Sequence, residues 1–135
     1  MNKTLPTLEI NGYRLRNGIE LHNNAPSTFL IPSESQKAKV IVGNLVKLSF
    51  EIRTVSPQGG EKLNGERMWV IVVKREGDWF EGILDNQPYC TQEIKPGLVV
   101  TFKSEHIIDI FGEIFDLKSP KFDEYRNKIK ELTQQ

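Results

Sequence analysis

Residues 67–74 constrain the fold more than any other part of the chain. Met68, Val70 and Val72 fall on one face of an extended segment, while Trp69, Ile71 and Val73 fall on the other. A strand that is apolar on both sides must be covered on both sides, which places it in the middle of a sheet or barrel. Glu76-Gly77 then supplies a turn, and residues 79–84 return as a second strand. The pattern predicts an antiparallel hairpin from Glu66 to Asp85 that organises the fold.

The other segments supply partners for it. In residues 45–53, Val46, Leu48, Phe50 and Ile52 alternate with Lys47, Ser49, Glu51 and Arg53, which predicts a strand with one face on the core. Residues 98–103 and the apolar run 106–111 follow the turns 85–88 and Pro96-Gly97, so at least five strands are expected. Asn11-Gly12 and Asn17-Gly18 suggest tight turns around two further short strands, 13–16 and 19–21. Pro57, Gly59-Gly60 and Asn64-Gly65 make residues 55–65 read as an exposed, mobile loop.

Two helices are expected. Ser33 with Gln36 three positions on forms a capping-box pattern that predicts a short helix near 33–40, ended by Gly43. Ser119-Pro120 opens a C-terminal helix at about 119–133, with Phe122, Tyr125, Ile129 and Leu132 at helical spacing. The fold class is therefore α+β and strand-rich: a bent antiparallel sheet or partly open small barrel, forming a single domain over residues 1–135 with its core at 43–110.

Composition narrows the function classes. With 38% hydrophobic and 27% charged residues the chain should fold. Eighteen basic residues balance eighteen acidic ones, so no summed field draws nucleic acid or an anionic membrane surface toward it. Cys90 is the sole cysteine and has no internal disulfide partner, and the first ten residues lack the apolar run of a secretory signal. The expected location is the cytoplasm, although export by a signal-less route stays open.

No complete catalytic constellation is spelled out. Two histidines and one cysteine are too few for a closed zinc site, and nothing calls for a metal or another cofactor. His106 with Asp85 or Asp109 is the best set for a small hydrolase or ligand-processing enzyme. In a strand, however, residues 106 and 109 point to opposite sides. A hydrogen-bonded core histidine is the simpler account of His106, and an inert thiol that of Cys90. Trp69 and Trp79 would have to line a basic groove in a single-stranded nucleic-acid binder, which balanced charge disfavours. Core packing explains most aromatics, and Trp79, beside a turn, is the aromatic of the hairpin best placed for a contact.

Several phrases together carry a resemblance. Gly-Glu-Arg-Met-Trp-Val at 65–70, Gly-Ile-Leu-Asp-Asn-Gln-Pro at 82–88, His-Ile-Ile-Asp at 106–109 and the upstream Gly-Asn-Leu-Val-Lys-Leu-Ser-Phe at 43–50 occur as an ordered set along the chain. The set resembles a bacterial family of small domains of unknown function related to toxin-system immunity proteins, with Asn44 where that family has an acid. The resemblance implies a non-catalytic domain that binds a protein partner, a cognate bacterial toxin. Arg67, Trp79 and Tyr89 are the candidate contacts, with Gln58 and Glu61 from the glycine-rich segment.

Overall fold

In the computed structural model, which describes residues 1–134, six strands form one antiparallel sheet. In chain order the elements are α1 (Leu8–Asn11), β1 (Tyr13–Leu15), α2 (Gly18–Asn24), α3 (Glu34–Ala38), β2 (Asn44–Val55), β3 (Glu61–Glu76), β4 (Trp79–Leu84), β5 (Val99–Lys103), β6 (Ile107–Ile114) and α4 (Arg126–Thr133). Short 3-10 turns occupy Ser104–His106 and Pro120–Tyr125. The sheet runs β1-β2-β3-β4-β5, and β6 returns to pair with β2.

That return gives the sheet its shape. β5 pairs with β4, yet β6, which begins after only three intervening residues, pairs with β2. β3 occupies one edge of β2 from Leu45 to Val55, so β1 and β6 share the opposite edge. The two ends of the sheet therefore approach each other, and the sheet curls into a half-barrel. Register shifts between β2 and β6, and another in β3 between Val72 and Lys74, bend the strands in the way bulges do.

The two-sided strand behaves as its pattern predicts. Met68, Val70 and Val72 enter the barrel interior with Val46, Leu48 and Phe50. Inside, Phe80 and Phe102 stack at 5.0 Å, each fully buried and worth roughly 2–3 kcal/mol of transfer free energy. On the other face Ile71 and Val73 join Phe122, Tyr125, Ile129 and Leu132, so the C-terminal segment is the outer cover. That cover is not one continuous helix: it opens as a 3-10 turn capped by Ser119, kinks at Phe122 and becomes α4 at Arg126. Gly82 sits where the layers are tightest, since a Cβ there would fall on Val70 Cγ1 and the Ile71 carbonyl oxygen.

The Ser33–Gln36 capping box forms, and it opens a shorter helix than the sequence suggests. α3 stops at Ala38, where Arg75 Nη1 donates to the carbonyls of Lys37, Ala38 and Val40.

Two sequence expectations are corrected. Residues 19–21 belong to helix α2, because Asn17 caps it: its side chain accepts from the N–H groups of Ile19 and Glu20. Gly18 also lies against Ile108 and the Glu105 carbonyl, so this glycine serves close packing and not a hairpin turn. Residues 55–65 are mostly strand, since β2 and β3 stay paired out to Val55 and Glu61 and only the tip around Gly59 turns. The ladder with β2 overrides the local turn preferences of Asn64-Gly65. No helix among the described residues is long and apolar enough to cross a membrane.

Candidate functional site

Strand pairing sets a row of side chains across the outer face. Asp109 on β6 is opposite Lys47 on β2, which is opposite Trp69 on β3, and Arg67 lies two residues along from Trp69. The segment 28–32 forms the facing wall of an open cleft of about 540 Å³. Its Phe29 ring supports the Arg67 guanidinium at 4.8 Å, and Lys47 Nζ rests 4.7 Å from the Trp69 ring. Phe29 is itself fixed through its backbone: its N–H donates to the Ala25 carbonyl, and its carbonyl oxygen is 2.6 Å from His22 Nδ1.

Among the described residues, the side chains of Lys47 and Arg67 make no ion pair and donate no hydrogen bond. Asp109 is exposed, and its Oδ1 accepts from the N–H of Ile110 at 2.8 Å. The cleft thus presents two uncommitted cations and one carboxylate beside apolar side chains. One residue comes from each of three phrases far apart in the sequence. Arg67 and Asp109 were legible singly. Lys47 read as one more solvated charge on an alternating strand, and Phe29 as part of an irregular extended run, so no local signal joined the four.

The residue next to Arg67 has a different task. The Glu66 carboxylate accepts from the N–H of Tyr89 at 2.9 Å and of Cys90 at 3.1 Å, pinning the long loop after β4. Burial would push its pKa up, but the bonds from Cys90 and from these two backbone groups outweigh it and hold the carboxyl below its ordinary range. The same loop is tied by Asn86 Oδ1, which accepts from the Trp69 N–H, and by Asp85, which accepts from the Tyr125 hydroxyl at 2.8 Å. Burial first and the Asp85 bond second raise the Tyr125 pKa. Burial, together with the adjacent Glu66, pushes the Cys90 thiol up to about 11, so at neutral pH it is protonated and a poor nucleophile. Tyr89 stands fully exposed on this pinned loop.

His106 lies in the 3-10 turn between β5 and β6, outside the Arg67 cleft. Its ring is buried, with Nδ1 accepting from the Lys103 N–H at 2.9 Å and Nε2 3.9 Å from Glu105 Oε1. Burial lowers its pKa against the opposing pull of Glu105, which favours the neutral ring. A cleft of about 370 Å³ beside it is lined by Arg14, Arg16, Glu51 and Glu105. Neither Asp85 nor Asp109 is a hydrogen-bond or ion-pair partner of His106. Trp79 is half-buried with Lys103 Nζ 5.3 Å from its ring. Gln58 and Glu61 are exposed at the tip of the β2–β3 hairpin, where Glu61 meets Arg53 at 3.8 Å. Among the described residues no group of three or more His, Cys, Asp or Glu side chains is placed to hold a metal ion.

No curated protein and no solved structure matches the chain. A family match covers residues 14–113, which takes in the strands from Arg14 through most of β6 together with the whole Arg67 cleft, and leaves the C-terminal cover outside. On that match the chain belongs to a bacterial family described as uncharacterized protein conserved in bacteria (DUF2314).

Proposed function

We propose that this domain is a non-catalytic, cytoplasmic protein-binding module that neutralises a cognate bacterial toxin, docking through the cleft of Arg67. The observation that carries this reading is the division of polar groups. Glu66, Asp85, Asn86 and His106 are committed to holding backbone or a neighbouring hydroxyl, whereas among the described residues the side chains of Arg67 and Lys47 have ring contacts but no ion pair and no hydrogen bond. Cations braced on aromatic rings in an open concavity are the kind of anchor that binding surfaces use. A stable complex needs about 800 Å² from each partner, so the cleft would be the centre of a wider patch that includes neighbouring loops. The test is protection: each gene flanking this one is expressed in turn, and cells killed by one of them should survive when the wild-type protein is co-expressed. Equal killing in both cases would end the proposal.

The cleft beside His106 favours a second reading, a small hydrolase or ligand-processing enzyme. Glu105, and not Asp85 or Asp109, is the carboxylate within reach of the imidazole. Hydrolysis of a broad ester and phosphoester panel that disappears in His106→Asn would support it. Activity unchanged in the variant would remove it.

A further inference from the structure

We propose that the Lys47–Arg67 cleft recognises a single acidic side chain, flanked by apolar residues, on the partner protein. The inference rests on the reading of this cleft as a docking surface and adds the chemistry of what enters it.

Charge complementarity is the first argument. Lys47 and Arg67 reach the same cleft, neither has an anion within 4.0 Å among the described residues, and each is braced on an aromatic ring. None of the guanidinium N–H groups of Arg67 donates to another described residue, so they stay available, and that fork matches the two oxygens of a carboxylate. A side chain already held against a ring loses less conformational freedom on binding than one waving in solvent.

Asp109 decides which anion. Its carboxylate lies in the same cleft, so the site carries a single positive excess. A monoanionic carboxylate balances that excess, whereas a phosphate dianion would face Asp109 at close range. The chain as a whole is neutral, with eighteen charges of each sign, so no wider field would compensate. Two cations also fall far short of the row of phosphate contacts on which nucleic-acid affinity depends.

The walls supply the apolar half of the recognition. Leu30 is 73% exposed on the lip, and the half-buried Ile31, Pro32 and Ile110 continue the surface around the cations. Leu30 has little apolar cover within the chain, and an apolar residue flanking the acid would provide it.

The experiment uses two synthetic pentapeptides with blocked ends, one carrying glutamate between two leucines and the other glutamine in its place. In a two-dimensional NMR titration of the full chain, the glutamate peptide should shift Arg67 Nε–H and the amides of Ile108 and Ile110. It should bind at least about fivefold more tightly than its glutamine twin. Lys47→Gln and Arg67→Gln, both at solvent-accessible positions, should each erase that preference while the remaining amide spectrum stays in place. Equal binding of the two peptides would overturn the proposal, as would tighter binding of inorganic phosphate at the same residues. Toxin protection is scored separately. A wild-type protein that discriminates the peptides but fails to protect cells overturns the toxin reading alone. Protection with no peptide preference overturns acid recognition alone.

Discussion

Glu66 and Arg67 are neighbours in the chain and opposites in use. Glu66 points to the side where the loop after β4 closes over the barrel, and its carboxylate is occupied by two backbone N–H groups. Arg67 points to the outer face, where its guanidinium rests on Phe29 and donates to no other described residue. Strand alternation sends adjacent side chains to opposite faces. One phrase of sequence therefore builds framework and surface at once, and charge alone does not say which residue has which role.

The contrast yields graded expectations. The framework should fail hardest where β3 and β4 pack most closely: Gly82→Ala should cost about 3 kcal/mol or prevent folding, because the added methyl meets backbone as well as Val70. Denaturant unfolding measures it, and a loss under about 1 kcal/mol would show that the two strands can part without penalty.

Glu66→Ala should cost about 1–2 kcal/mol, two charge-assisted bonds reduced by the solvent that reaches a half-buried carboxylate. Its pKa is lower in the folded state than the ordinary 4.5, so its stabilisation is fully present above about pH 4.5. It is lost as the pH falls through the lower folded value. The variant should therefore have a flatter acid limb below pH 4.5 in pH-dependent melting.

His106 should act at higher pH. Its folded pKa lies below the ordinary 6.5, so the protein should be at full strength above pH 6.5 and lose up to about 1.4 kcal/mol per pH unit below it. His106→Asn keeps an acceptor for the Lys103 N–H and should remove this slope while leaving the Glu66 limb at lower pH intact. A slope that persists in the variant would place the titrating group elsewhere.

Arg67→Ala should have the smallest effect on folding, under about 1 kcal/mol, the size of one exposed cation–π contact. A loss as large as that from Glu66→Ala would mean that Arg67 belongs to the framework after all.

Much of the fold is legible in the chain. The double apolar face of residues 68–73 identifies the strand that needs two covers, and Phe122, Tyr125, Ile129 and Leu132 supply one of them. The Ser33 capping box and the Ser119 cap are read correctly because they depend on residues three or fewer positions away. The misreadings arise where a local signal has two meanings. Asn17-Gly18 serves as a helix start as readily as a turn, and the glycines of 59–65 do not prevent pairing once Lys62 and Asn64 lie opposite Thr54 and Ile52.

The site was legible only in pieces. Arg67 and Asp109 draw notice singly, 42 positions apart by their numbers, and Lys47 and Phe29 draw none. Periodicity along a strand determines which face a side chain occupies, and here it placed Arg67 opposite Met68, Lys47 opposite Val46 and Leu48. Which strands become neighbours depends on closing loops across the whole domain, and that choice is not encoded in any short window. The curl that lets β6 leave β5 and pair with β2 brings Asp109 beside Lys47, and α2 with the segment after it sets Phe29 under Arg67. The sequence by itself determined the central strands, their faces and the need for a cover on each; the tertiary structure alone assembled the cleft.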